Sequence, residues 1–322
     1  MAGLLLNAVY VVLLAVVSPV LAYRAWRQGK YRQGWGEKLL GTGARRDSSS
    51  PCLWLHAVSV GEVLLLQTVI ADFRRRRPDV EIWISTTTHT GHAVAREKFP
   101  DCRVLYFPLD FTWSVRAALN RVRPDVVGLV ELELWPNFIR GVAARGIPLV
   151  LINGRLGEKS HRGYRRIRFL MRRVLSGFTA FGMQTPEYAR RIVDLGAPAE
   201  RVSVTGSVKF DGVRMSHDPA QLRALRSSLG IGPDERVLLA GSTHAPEEQA
   251  VLHCFRQLQS EFPNLRLMIA PRHQERFDEV ATIIGTDGYS LLRRSQTLSM
   301  SHGVYPRGPD ASGAASPPVV LL

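Results

Sequence analysis

The sequence predicts an α/β fold built on largely parallel sheets, and three observations carry that prediction. Short apolar runs alternate with helix-like segments at the spacing of βαβ units. The run Asp125-Val126-Val127-Gly128-Leu129-Val130 is almost continuously apolar, as a strand covered by helices on both faces should be. The junctions between strands and helices are small-residue, hydroxyl-rich or acidic turns, of which His56-Ala57-Val58-Ser59-Val60-Gly61-Glu62 is the most informative.

Taken in order, residues 1–23 hold no charged side chain and are mostly Leu, Val and Ala. A helix of that length can span a bilayer. No basic residue precedes it, whereas Arg24, Arg27, Lys30 and Arg32 follow at once, which places the following domain in the cytoplasm by the positive-inside rule. Val20-Leu21-Ala22 resembles a signal-peptide cleavage site, but the missing basic n-region and the basic flank favour an uncleaved anchor. Residues 24–50 read as a basic linker.

The first domain is expected over residues 51–206, with strands at 52–56, 80–85, 103–107, 125–130, 148–152, 178–183 and 202–205. Helices are expected between them at 62–76, 90–98, 112–121, 135–145, 161–176 and 186–195. A linker over 207–235 leads to a second series over 236–322, with strands at 236–241 and 265–270 and a helix from near Pro246 to Glu261. The Ser/Gly/Pro-rich stretch 296–317 reads as loop, and Val319–Leu322 as the start of another strand. Two or three strands fall short of a doubly wound domain, so the second domain is expected to be incomplete, from a fragment or a truncated protein.

With 322 residues, 45% of them hydrophobic and 22% charged, the chain has the composition of a globular protein large enough for two domains. Its formal net charge of +14 suits anionic partners such as phosphorylated sugars, lipids or a membrane face. Nucleic acid is supported by charge alone, since no aromatic–basic interleaving or recognised module is present, and it is excluded as the expected partner. Cys52, Cys102 and Cys254 lie far apart, which fits a reducing compartment without a disulfide framework or a metal motif. Walker, GxGxxG and HExxH patterns are missing from the sequence.

Four clusters fall at strand-to-helix turns, where open α/β sheets bind their ligands. Gly61-Glu62 puts an acid at such a turn, although Ser59-x-x-Glu62 is equally a capping box in which the carboxylate satisfies a backbone N–H. Ser85-Thr86-Thr87-Thr88-His89-Thr90-Gly91 can hydrogen-bond a sugar or phosphate, or simply cap its helix. Glu131-Leu132-Glu133-Leu134-Trp135-Pro136-Asn137 sets two carboxylates after an apolar strand; alternation along an extended segment turns Glu131 and Glu133 to the same side. Such acids are often helix-dipole partners, but two after an all-apolar strand favour a function. In the second series, Gly241-Ser242-Thr243-His244-Ala245-Pro246-Glu247-Glu248 and Ala270-Pro271-Arg272-His273-Gln274-Glu275-Arg276 suit a nucleotide phosphate, against solvated helix starts. His161–Leu175 reads as one basic amphipathic helix, facing anionic headgroups or simply packing its apolar side on the core.

In this order the clusters resemble the Kdo transferases, which attach 3-deoxy-D-manno-octulosonic acid (Kdo) to lipid A precursors in lipopolysaccharide synthesis. The matching segments are Tyr31-Arg32 with Gly36-Glu37-Lys38-Leu39, His56–Glu62, Thr86–Thr88 and Glu131–Asn137. They continue with Asn153-Gly154-Arg155-Leu156, Val204-Thr205-Gly206-Ser207-Val208-Lys209-Phe210-Asp211, Gly241–His244 and Pro271–His273. His89 stands where the family usually has Pro, Gly154 where Ala is usual, and a further Gly-rich and Asn-Pro-x-Glu-like region of the family has no counterpart.

The resemblance implies a GT-B glycosyltransferase with two Rossmann-like domains, an N-terminal membrane anchor and an inverting transfer from CMP-Kdo to lipid A precursor. It implies Glu62 as the general base, with Ser59, Gly61, Thr86, Thr87, Thr88, Glu131, Glu133 and Arg155 on the acceptor side. It implies Lys209, Ser242, Thr243, His244, Glu247, Arg272 and His273 on the donor side. The leaving group is already activated, so no metal and no cofactor are expected. The implied location is the cytoplasmic side of the inner membrane, held by the N-terminal helix and the basic face. The rival readings are a UDP-sugar GT-B transferase of lipid A synthesis, and a truncated remnant that binds lipid A precursor or membrane without catalysis.

Overall fold

The computed structural model describes residues 2–28, 34–211, 218–294, 308–309, 315–316 and 319–322. Lys30, Tyr31 and Arg32 fall outside these residues, as does most of the 296–317 stretch. The chain divides into two compact units, Met1–Val213 and Arg214–Leu322.

Unit 1 opens with α1 (Ala2–Gln28), within which Gly3–Val20 has a mean hydropathy of 2.2 and is long enough by composition to cross a membrane. Pro19 lies inside this helix and has no N–H for the carbonyl of Ala15. The Ser18 hydroxyl donates to that carbonyl instead, at 2.8 Å, so the helix continues. Within the expected basic linker, α2 (Trp35–Leu40) forms between two left-handed glycines, Gly34 and Gly41.

The strands and helices then alternate: β1 (Cys52–His56), α3 (Val60–Arg76), β2 (Glu81–Thr86), α4 (His89–Lys98), β3 (Arg103–Tyr106), α5 (Thr112–Val122), β4 (Val126–Val130) and α6 (Pro136–Ala143). They continue with β5 (Leu149–Gly154), α7 (Glu158–Arg165), α8 (Arg168–Leu175), β6 (Ala180–Met183), α9 (Pro186–Asp194), β7 (Val202–Val204) and α10 (Val208–Asp211). The seven strands form one parallel sheet in the order β3-β2-β1-β4-β5-β6-β7. The strand order reverses between β1 and β4, and that crevice is where an open α/β sheet offers a site.

Each face of the sheet has its own core. Trp54, Trp83, Phe138, Phe178 and Phe181 fill one side, and Leu55, Val63, Leu66, Ile70 and Ile84 the other. Gly128 sits where β4 passes between them: a Cβ there would lie 2.8 Å from both Ile152 Cδ1 and Leu55 Cδ2. The helix expected over 161–176 is two helices, α7 and α8, interrupted at Ile167 (φ −118°, ψ 32°). The two differ in packing: α7 buries no residue, while α8 buries Met171 and Leu175.

Unit 2 holds α11 (Pro219–Ser228), β8 (Arg236–Thr243), α12 (Glu247–Glu261), β9 (Leu265–Pro271), α13 (Phe277–Thr286) and β10 (Leu291–Arg293). A short pair, β11 (Gly308–Pro309) and β12 (Ala315–Ser316), and β13 (Val319–Leu321) complete it. Among the described residues its parallel sheet has four strands, β10-β13-β9-β8, against an expectation of two or three. The additional strand, β10, is three residues long and pairs with β13 rather than with its neighbour in sequence order, which hides it from a local pattern.

Candidate functional site

The turn after β1 is built by capping. Ser59 is the N-cap of α3, its hydroxyl accepting from the Glu62 N–H at 3.5 Å and donating to Glu62 Oε1 at 2.9 Å. Glu62 Oε2 accepts the Val58 N–H at 2.8 Å. The cap suggested by the sequence therefore exists, and it orients the carboxylate rather than consuming it. A carboxylate has about four lone-pair directions, and two are used here.

Burial pushes the Glu62 carboxyl above the usual carboxylate range; the Val58 and Ser59 hydrogen bonds pull it back only in part, and the Glu131 charge adds to the rise. Glu131 and Glu133 arrive from the end of β4, next to β1 in the sheet, so the three carboxylates meet at the crevice where the strand order reverses. The route differs from strand alternation: Glu131 has a left-handed backbone (φ 58°), and its N–H is held by the Ile152 carbonyl at 2.8 Å. Glu133 is likewise raised, by burial first and then by the Glu62 charge, against the hydrogen bond its Oε2 accepts from Trp135 Nε1 at 2.9 Å.

The Thr run after β2 has divided roles. Thr86 is buried, and Thr88 caps α4 by accepting from the Gly91 N–H at 3.0 Å while donating to the Val58 carbonyl at 3.1 Å. Thr88 thus ties the α4 start to the Glu62 turn. Thr87 Oγ1 is buried with no hydrogen-bond partner among the described residues. Gly61 and Arg155 are exposed, the latter in the loop after β5, and Arg155 makes no ion pair with the three carboxylates among the described residues.

His56 closes the floor of the turn. It is fully buried, with Nδ1 3.1 Å from the Ser85 carbonyl oxygen and its ring stacked on Phe107 at 3.7 Å. Burial drives it down to about 3, so it is neutral and structural.

Lys209 lies on α10, within unit 1. The Val208 N–H donates to Asn153 Oδ1 at 3.2 Å, which fastens α10 to the end of β5, and Lys209 itself is exposed. Residues 207–211, read from sequence as the beginning of a linker, lie within the first unit.

In unit 2, Ser242 and Thr243 end β8 and His244 follows it, while Arg272 and His273 follow β9, its parallel neighbour. The Arg272 N–H donates to the Thr243 carbonyl at 3.0 Å, and the His244 and His273 rings meet edge to face at 5.4 Å. Glu247 Oε2 accepts the His244 N–H at 2.8 Å and so braces this turn. His244, Arg272 and His273 are exposed, which leaves one cationic and two imidazole side chains at the carboxyl ends of β8 and β9.

Gly91 and Asn153 appear in the sequence reading only as members of motifs, with no role of their own, and Asp110 was passed over. Gly91 allows α4 to approach the Glu62 turn, since a Cβ there would be 3.3 Å from the Val58 carbonyl oxygen. Asn153 adopts a left-handed conformation (φ 57°) to reach Val208. Asp110 is buried and holds the start of α6, accepting the Asn137 and Phe138 N–H groups at 3.0 and 2.8 Å. Burial pushes it up to about 6 despite those bonds. Its only sequence signal was an acid just ahead of a helix.

Residues 32–212 match the family model described as 3-deoxy-D-manno-octulosonic-acid transferase (kdotransferase). A 3-deoxy-D-manno-octulosonic acid transferase of Haemophilus influenzae is 31% identical over 288 residues, covering 89% of this chain and 64% of that protein. The chain thus spans a little under two thirds of that relative. Among solved structures, the UDP-GlcNAc 2-epimerase of Neisseria meningitidis has a TM-score of 0.52 at 11% identity, over 74% of this chain and 68% of that one. A glycosyltransferase of Rickettsia africae has a TM-score of 0.52 at 9% identity, over 74% and 66%. These structures speak for the fold alone, which is of the GT-B class: α/β, with two Rossmann-like units and parallel sheets.

Proposed function

The chain belongs to the 3-deoxy-D-manno-octulosonic-acid transferase family, and from that membership we propose that it moves Kdo from CMP-Kdo to a lipid A precursor in lipopolysaccharide synthesis. The observation that carries the reading is the convergence of Glu62, Glu131 and Glu133 at the β1/β4 crevice. Glu62 acts as general base. It accepts the proton of the acceptor hydroxyl while that oxygen attacks the anomeric carbon of Kdo and the bond to the CMP phosphate breaks, with inversion. Two features support that role: free lone-pair directions on an oriented carboxylate, and an affinity for protons raised by burial, which brings a base closer to its working pH.

On the acceptor side, Ser59 orients Glu62, and Thr87 offers an unpartnered hydroxyl. Gly61 keeps the mouth of the turn open, and Thr86 and Thr88 hold its walls. Glu131 raises the basicity of Glu62, Glu133 adds a second acid to the acceptor side, and Arg155 supplies an exposed cation for an acceptor phosphate. On the donor side, Arg272 and His273 with Ser242, Thr243 and His244 take the CMP phosphate and the Kdo carboxylate, where cations and backbone N–H groups offset charge on the leaving phosphate. Glu247 positions the His244 turn, and Lys209 supplies a further exposed cation. The protein works at the inner membrane, on the cytoplasmic side, held by α1 and its basic surface.

The test is Kdo transfer from CMP-Kdo to a tetraacylated lipid A precursor in detergent, read by mass spectrometry. Glu62→Gln keeps an acceptor for the Val58 N–H but removes the base, so transfer is expected to fall at least about 100-fold with the fold intact. Glu62→Ala is expected to lose transfer equally and to lower stability by about 1 kcal/mol through the lost cap. Retained transfer in Glu62→Gln would reduce this carboxylate to a helix cap.

A further inference from the structure

A helix as apolar as α1 reads from sequence as a bilayer span, yet contacts over its first half, from Gly3 to Leu14, bind it to the rest of unit 1. The inward positions are Gly3, Leu6, Asn7, Tyr10 and Leu14, a stripe at helical spacing; Gly3 and Asn7 are buried and the others half-buried. Asn7 Nδ2 donates to Thr112 Oγ1 at 2.7 Å, and Asn7 Oδ1 accepts the Thr112 N–H at 3.1 Å. The Tyr10 hydroxyl donates to Asp110 Oδ2 at 2.9 Å, and its ring meets Phe111 edge-on at 6.0 Å. Gly3 is packed so closely that a Cβ would lie 3.0 Å from Thr112 Cγ2 and 3.2 Å from Asn137 Oδ1.

The other end of the helix is tethered too. Between Gln28 and Gly34 the chain can bridge at most about 21 Å, and Gly34 packs on Tyr106 of β3. A spanning helix would put its ends on opposite sides of a hydrocarbon layer of about 30 Å. Here both ends belong to one compact unit, and a compact unit occupies one side.

We propose that α1 is an in-plane anchor: it lies in the membrane interface with both ends on the side of unit 1, and does not cross the bilayer. Its outward positions suit that seat, with Leu5, Val12 and Val16 exposed by 70%, 62% and 70%. Trp113, 46% exposed and stacked on Phe111 beside the docked turns, is the residue type that settles at the headgroup level. Next to Gly3, a groove between α5, α6 and α8 of about 550 Å³ is lined by Arg116, Arg140, Arg145 and Arg173 and, among the described residues, by no acidic side chain. It turns positive charge toward the same anionic lipid surface.

The test reconstitutes the full protein in vesicles of phosphatidylethanolamine and phosphatidylglycerol, with Cys254→Ser removing the exposed native thiol. A membrane-impermeant maleimide then probes Ala2→Cys, and separately Glu97→Cys on the exposed surface of unit 1. In-plane seating predicts that both positions react to the same extent before detergent is added. Reaction at position 97 before detergent, with position 2 reacting only afterwards, would overturn the proposal, as would failure of the protein to float with the vesicles. Labelling does not depend on Kdo transfer, so loss of that reading leaves this result standing.

Discussion

At the scale of single residues, the Glu62 turn rests on a buried group that never needs to charge. His56 stays neutral in the fold because burial holds it near 3, whereas in the unfolded chain it protonates near 6.5. Its stabilising contribution is therefore fully present above about 6.5 and is lost as pH falls from there toward 3. Between pH 7.5 and 5 this amounts to about 2 kcal/mol. Asp110 works in the opposite direction: its raised value favours the fold at low pH, and that contribution is lost as pH rises through about 6. The two must be separated by difference. All six tryptophans lie in unit 1, so fluorescence in urea reports its unfolding. The wild type should lose about 2 kcal/mol more than His56→Asn on going from pH 7.5 to 5, and equal losses would show that His56 takes a proton without unfolding.

At the scale of elements, the joints between helices depend on close backbone approach. Gly41 ends α2 with φ 65°, and a Cβ there would lie 2.4 Å from the Ser114 carbonyl oxygen and 2.8 Å from the Ala118 N–H nitrogen, both in the backbone of α5. Gly146 is equally left-handed, at φ 67°, but has nothing within 4 Å of its Cβ position. Gly41→Ala should therefore cost roughly 3 kcal/mol, strain plus clash, and Gly146→Ala only about 1 kcal/mol. Similar urea midpoints for the two would mean that α2 shifts away from α5 without cost. The same elements show what a sequence can carry. β1 and β4 were legible because each is a short apolar run buried on both faces, which leaves no alternation to misread. The break between α7 and α8 was not, since apolar spacing continues through Ile167 and neither Pro nor Gly marks it. Glu62 was legible because its cap is local. Its meeting with Glu131 and Glu133 depends on β1 lying beside β4, a long-range pairing, and on a left-handed glutamate that no residue preference signals.

At the scale of the whole molecule, two forces of different range act on any membrane contact. The formal net charge of +14 acts at a distance and is screened by salt, over about 10 Å at 0.1 M but only about 3 Å at 1 M. The exposed apolar side of α1 acts at contact and gains, if anything, at high ionic strength. Charge should thus decide how much better anionic vesicles bind than neutral ones, while α1 decides whether binding survives salt. Flotation at 0.1 M should favour phosphatidylglycerol vesicles over phosphatidylcholine ones by tenfold or more, since each basic residue near such a surface contributes about 1 kcal/mol. At 1 M the preference should vanish, with both populations still bound. Complete release at 1 M would mean that the arginines alone hold the surface and that α1 remains folded against unit 1 without entering lipid. Undiminished preference at 1 M would instead require a specific headgroup site, for which the groove of Arg116, Arg140, Arg145 and Arg173 is the one to mutate first.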